Sequence, residues 1–168
     1  MGIKRIIDTD FWTDIDVIDQ YSIEDRYFSL YLYTNKHCRQ AGVYKLPKKY
    51  MSFETGFSKE IIEVLIDRFE RSYKKIKYNH STQEIAMLDY TKTTIVKGGK
   101  PVEDCIHKDL SVIDDKSLIN SVILNMRQFW QSSERLIDNT ILSIFEKHAI
   151  LNDNDNDNDN DNDNDSIV

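Results

Sequence analysis

The chain has 168 residues, with 29 Asp or Glu against 22 Lys or Arg, and seven of the acids sit in the Asn-Asp repeat Asn152–Asp165, so the residues before the repeat carry no net charge. No apolar run approaches the ~20 residues of a membrane span, no apolar stretch follows Met1-Gly2-Ile3-Lys4-Arg5 as a secretory leader requires, and Cys38 and Cys105 stand far apart without a CxxC partner. These features exclude a membrane span, a disulfide scaffold and a cysteine-based zinc site, and they set a reduced intracellular compartment as the expectation.

The charge is unevenly placed. Residues 1–35 hold three bases and seven acids, residues 36–100 fourteen bases and seven acids, and residues 101–151 five bases and eight acids. A basic segment between two acidic ones attracts polyanions, and inside a cell that means DNA first.

In chain order, residues 8–20 predict a short helix, with Phe11, Trp12, Ile15 and Val17 or Ile18 at helical spacing. Ser22, with acids behind it, caps a second helix running to about Thr34. A polar stretch ends at Gly42, and Val43–Leu46 alternates like a strand. Pro47 then suits the first turn of a helix ending at Gly56. Ser58 caps the next helix, Lys59 to Ser72, with Ile61, Ile62, Leu65, Ile66 and Phe69 as its apolar stripe. Helix, glycine turn and longer helix make a helix-turn-helix outline.

Strands at 73–78 and 84–90 flank the polar turn Asn79-His80-Ser81-Thr82 and make a hairpin. A loop over 91–101 leads to three helices near 102–112, 116–130 and 133–149, the last two forming a helical hairpin. The expected fold is α+β and mostly helical: a winged helix-turn-helix with a small β-wing over 1–95, a helical extension over 96–150, and a disordered tail over 151–168.

Three strings carry a resemblance: Ile7-Asp-Thr-Asp-Phe-Trp-Thr-Asp14, Tyr33-Thr-Asn-Lys-His37, and Gly42-Val-Tyr-Lys-Leu-Pro-Lys-Lys-Tyr-Met-Ser-Phe-Glu-Thr-Gly56. In this order the chain resembles, over roughly residues 4–113, the N-terminal winged-helix domain of phage replisome organisers, relatives of the DnaD primosome proteins. The resemblance implies a replication initiator in a bacterial cytoplasm that binds double-stranded origin DNA, forms homo-oligomers and meets the host helicase or its loader. Many family members continue into a second helical domain, where this chain has the helices up to Ala149 and then the repeat.

In a helix-turn-helix the second helix enters the major groove by its N-terminal residues, here Ser58 and Lys59. Glu60, Glu63, Asp67 and Glu70 on that helix oppose phosphate. The better phosphate candidates are Lys45, Lys48 and Lys49 before it, and Arg68, Arg71, Lys74, Lys75 and Lys77 running into the wing, where strand alternation places Lys75 and Lys77 on one face. His80 lies in the wing turn.

Enzyme chemistry finds no support. There is no Walker-type loop, Gly98-Gly99-Lys100-Pro101 is too short for one, and adjacency of His37 and Cys38 does not make a catalytic pair. Asp8, Asp10, Asp14 and Asp16 read as helix caps and solvated acids, and the tail lacks the Gly and Glu of a calcium loop. No metal or cofactor is expected. Each Asn-Asp unit is encoded by AAY-GAY, so the gene carries at least seven direct repeats; the resemblance, whose members can hold their origin inside the initiator gene, makes them candidate origin sites, and replication slippage in a codon run is the alternative. A winged-helix transcriptional regulator and a self-associating protein-interaction module without base readout are the competing functions.

Overall fold

A computed structural model describes residues 2–149, and the disorder expected of the Asn-Asp repeat lies outside them. The fold is α+β, mostly helical, with one small antiparallel sheet. Helix α1 is Ile15–Asp19, α2 Ile23–Thr34, α3 Lys48–Thr55, α4 Lys59–Asp67, α5 Tyr90–Thr94, α6 Lys100–Ser111, α7 Lys116–Ser132 and α8 Leu136–His148; strands β1, β2 and β3 are Val43–Lys45, Ile76–Asn79 and Glu84–Met87.

The single helix expected over 8–20 is two pieces, a 3-10 turn Thr9–Trp12 and α1. The cause is a pair of competing caps. Asp8 accepts a hydrogen bond from the Asp10 amide at 3.0 Å and Asp14 one from the Asp16 amide at 2.8 Å, and each cap starts its own turn. Trp12, Ile15 and Ile18 stay exposed and only Val17 is buried. Helix α2 follows its expectation. Ser22 and Asp25 form a reciprocal capping box.

Gly42 takes φ +73, and a Cβ there would lie 2.6 Å from the Cβ of Tyr90, so both backbone freedom and close approach require glycine. The chain then enters β1. Gly56, at φ +80, ends α3 in the left-handed conformation. Ser58 caps α4 by accepting from the Ile61 amide at 3.3 Å.

The α-helix expected to reach Ser72 ends at Asp67 and passes into a π-helical turn, Arg68–Ser72. Lys74, at φ +53, reverses the chain, so the next strand starts at Ile76, three residues later than the alternation predicts. The third strand ends at Met87, and the loop expected over 91–101 begins instead with α5, which buries Tyr90 and Thr91. Ile61, expected on the apolar stripe, is exposed.

The sheet order is β1-β3-β2, with Val43 opposite Ala86 and Tyr78 opposite Ile85. Alternation splits the sheet between two cores. Tyr44, Ile76, Tyr78, Ile85 and Met87 join Phe28, Leu32, Met51, Ile62, Leu65, Ile66 and Phe69 on one face. Val43, Ala86 and Leu88 join α6–α8 on the other. Helices α7 and α8 close as the expected hairpin, with the rings of Trp130 and Phe145 fully buried and 5.2 Å apart. Trp130 therefore faces inward. Asp138, also fully buried, is held by Arg135 through hydrogen bonds of 2.6 and 2.7 Å. No helix among the described residues is long and apolar enough to cross a membrane.

Candidate nucleic-acid interface

The residues expected to touch DNA fall into two electrostatic groups. In the group from the second helix into the hairpin, nearly every cation meets a carboxylate. Arg68 donates to Asp25 at 2.7 Å, and Asp25, 1% exposed, also receives the Tyr73 hydroxyl at 2.8 Å and the Ser22 amide at 2.9 Å. Arg71 pairs with Asp67 at 2.8 Å, Lys75 with Asp89 at 3.5 Å and Lys77 with Glu70 at 3.8 Å. Lys75 and Lys77, expected to share a face, thus serve different acids. Lys74 alone in this group is exposed without an ion pair among the described residues.

The hairpin is also not a free wing. The Asn79 amide at its turn donates to Asp115 at 2.6 Å. Glu84, buried at the foot of β3, accepts from the Asp114 and Asp115 amides at 2.8 and 2.9 Å. The exposed side of α4 carries Glu60, Ile61, Glu63, Val64 and Asp67 beside Lys59, a mixed acidic and apolar surface. Ser58 is spent on capping.

The second group lies around β1 and the start of α3. Lys48 is partly buried, bonded to Glu63 and seated 5.7 Å from the centre of the Tyr78 ring. Lys45, Lys49 and Arg39 are exposed and form no ion pair among the described residues. A groove of about 520 Å³ opens between this segment and the α6–α7 junction, and Lys36, His37, Arg39, Lys45 and Tyr50 are among the residues that line it, with Lys36 paired to Glu54 at 3.8 Å. The rings of His37 and Tyr50 are stacked, 5.0 Å apart and 13° from parallel.

Glu54 braces that stack. His37 Nε2 lies 2.9 Å from Glu54 Oε1, and the Tyr31 hydroxyl donates to Oε2 at 2.6 Å. Partial burial works against the Glu54 carboxylate, but these hydrogen bonds from Tyr31 and His37 outweigh it and hold its pKa below the ordinary value.

Glu84, Asp109 and Asp114 also line the groove. Two of these carboxylates are engaged with backbone: Glu84 as above, and Asp109 with the Ala41 amide at 3.2 Å. Burial pushes the Asp109 carboxyl above the ordinary carboxylate range.

Comparisons with family models, with curated proteins and with solved structures return no match.

A second cavity, about 200 Å³, lies under the N-terminal arm beside Asp8, Asp10, Asp14, Lys75 and Asp89. Asp8 and Asp14 are helix caps there, and no group of three or more His, Cys, Asp or Glu among the described residues is arranged to hold a metal ion. Cys38 is buried, its thiol 3.3 Å from the Tyr90 hydroxyl and pushed up in pKa by that burial; this is the environment of a packing residue, not of an activated nucleophile.

Lys36, Arg39 and Tyr50 are absent from the DNA-contact residues expected from sequence. The clue to the first two is the run Lys36-His37-Cys38-Arg39 in a polar connection inside the basic third of the chain. Reading outward from the helix-turn-helix passes over it. The stack of His37 on Tyr50 joins residues thirteen apart, and no periodicity in the sequence reports it.

Proposed function

We propose that this chain is a DNA-binding replication initiator of the replisome-organiser type, with α3, α4 and the β2–β3 hairpin as its winged helix. The order of elements, helix, glycine turn, helix and hairpin, with β1 on the far side of β3, supports that reading. One observation carries the DNA contact: Arg39, Lys45 and Lys49, in and beside β1 and the start of α3, are exposed cations that form no ion pair among the described residues. Phosphate neutralisation releases counterions, and cations already engaged by neighbouring acids contribute less to it. The duplex therefore meets β1 and the start of α3, with Lys59 at the head of α4 as a further contact. Binding to repeated origin sites by a homo-oligomer, and contact with a helicase or its loader, complete the proposal.

The test is binding of the purified chain to a duplex of its own AAY-GAY repeat region and to a scrambled duplex of equal length, at two salt concentrations. Preference for the repeat that survives the higher salt supports an origin-binding initiator. Equal and strongly salt-dependent binding leaves a nonspecific DNA binder, and absence of binding to both sinks the reading.

A second reading rests on the exposed side of α4. Ile61 and Val64 lie open between Glu60, Glu63 and Asp67, and Phe53 on α3 is 87% exposed. Such a face suits protein more than phosphate, and a self-associating interaction module would use it. Light scattering across a concentration series, with Phe53→Ser as the disrupting variant, tests that function.

A further inference from the structure

We infer that the groove beside β1 is a binding site for an unpaired nucleotide of single-stranded DNA, with Tyr50 stacked on the base and Arg39 and Lys45 on the flanking phosphates. The inference rests on the DNA-binding reading above and adds the strand state that the groove recognises. A base entering a protein groove needs an aromatic surface, a cavity of suitable size and cations where the backbone runs. All three occur together here. The groove holds about 520 Å³, within the ~300–1,000 Å³ of small-ligand pockets.

Tyr50 is 46% exposed although one face of its ring is against His37. The His37 ring is held at Nε2 by Glu54 at 2.9 Å. The stacked pair is thus a rigid platform formed before any ligand arrives, which lowers the ordering cost of binding. Duplex DNA does not satisfy this geometry, because its bases are already stacked on one another and a groove ring reaches a base only when that base is unpaired or extruded.

Arg39 and Lys45 line the groove together with Glu84, Asp109 and Asp114. Glu84 is tied to the Asp114 and Asp115 amides and Asp109 to the Ala41 amide, and the exposed cations are the groups open to the phosphates of a strand. Stacking of this kind tolerates every base, so the site selects strand state over sequence.

The experiment is fluorescence anisotropy of a labelled mixed-sequence single strand, and of the same strand annealed to its complement, with the full chain. The wild-type chain is expected to bind the single strand. Tyr50→Ala should weaken that binding roughly tenfold or more and change duplex binding less than about twofold, while Tyr50→Phe, which keeps the ring, should retain it. A 2-aminopurine placed in the strand should be quenched on binding the wild-type chain, a readout that does not depend on any variant folding.

Single-strand affinity unchanged in Tyr50→Ala, or 2-aminopurine unquenched in the bound strand, overturns the proposal. Duplex binding without single-strand binding overturns it too, and leaves the DNA-binding reading standing. Single-strand binding without duplex binding upholds the groove and removes only the duplex reading. Binding to neither removes both.

Discussion

The two basic regions of this molecule contain the same residue types in opposite electrostatic states. From Arg68 to Lys77 the cations are engaged: Arg68 with a buried carboxylate, and Arg71, Lys75 and Lys77 with surface ones. Around β1, Arg39, Lys45 and Lys49 stand exposed and form no ion pair among the described residues. Half of the engagement in the first region is local, Arg71 with Asp67 and Lys77 with Glu70, and half comes from acids distant in sequence, Asp25 on α2 and Asp89 after β3. A basic stretch becomes a polyanion site only where the fold leaves its cations without partners.

The sharpest way to break this comparison is Arg68→Ala. The substitution leaves Asp25 buried with only the Tyr73 hydroxyl and the Ser22 amide. A fully buried pair broken on one side costs about 3–5 kcal/mol; the Arg68 side chain is 37% exposed, so about 2 kcal/mol is expected after allowing for solvent screening. Urea denaturation should show that loss, and the folded variant should bind duplex DNA as the wild type does. Unchanged stability with weakened binding would move Arg68 into the DNA-contact group and undo the division.

Next in size is Arg39, Lys45 and Lys49 changed together to Ala. Duplex affinity should fall roughly tenfold or more at low salt, and the slope of log K against log salt should flatten by about three units, close to one for each phosphate no longer neutralised. Denaturation midpoints should move little, because none of the three is buried or paired among the described residues. Lys75 and Lys77 changed together to Ala serve as the contrast, with an expected loss under about twofold. Equal losses from the two sets would show that pairing does not decide which cations bind.

A smaller effect separates pairing from position. Glu70→Gln frees Lys77 and removes one negative charge from the surface of the π-helical turn. If pairing is what keeps Lys77 from phosphate, duplex affinity should rise about two- to threefold, with a salt slope steeper by up to about one unit. No change would mean that this edge of the sheet does not face DNA at all.

Much of the fold was legible before the structure. The Ser22 and Ser58 caps, the Gly42 and Gly56 turns and the apolar faces of α2, α7 and α8 follow from local rules, and each of these elements appears at its expected place within a few residues. The misses are tertiary. Helix propensity joins residues 8–20, but Asp14 caps a fresh turn in the middle of them. Periodicity runs α4 to Ser72, but burial of Phe69 and the reach of Tyr73 to Asp25 accompany a π-helical turn. The site was legible only in part: Lys45 and Lys49 stand out in sequence, whereas the pairing of Lys75 and Lys77 and the stack of His37 on Tyr50 depend on residues brought together by the sheet and by α2.

The smallest expected effect tests how that stack is held. Glu54 has a folded pKa below its ordinary 4.5, with partial burial opposing the shift and the Tyr31 and His37 hydrogen bonds overcoming it. A carboxylate lowered on folding contributes stability that is fully present above its unfolded pKa and is lost as pH falls through the folded one. Stability should therefore be flat with respect to this group from neutrality to about pH 5 and decline below 4.5. Glu54→Gln should remove this group's share of the acid decline while retaining an acceptor for Tyr31. It also takes from His37 its only carboxylate within 4.0 Å among the described residues, so the His37 ring becomes free to leave Tyr50. Denaturation of both proteins at pH 7, 5 and 4 measures the first consequence, and anisotropy with a single-stranded probe at pH 7 measures the second. An acid decline as steep in the variant as in the wild type would show that the buried ends of those hydrogen bonds, and not the Glu54 charge, hold α2 to α3.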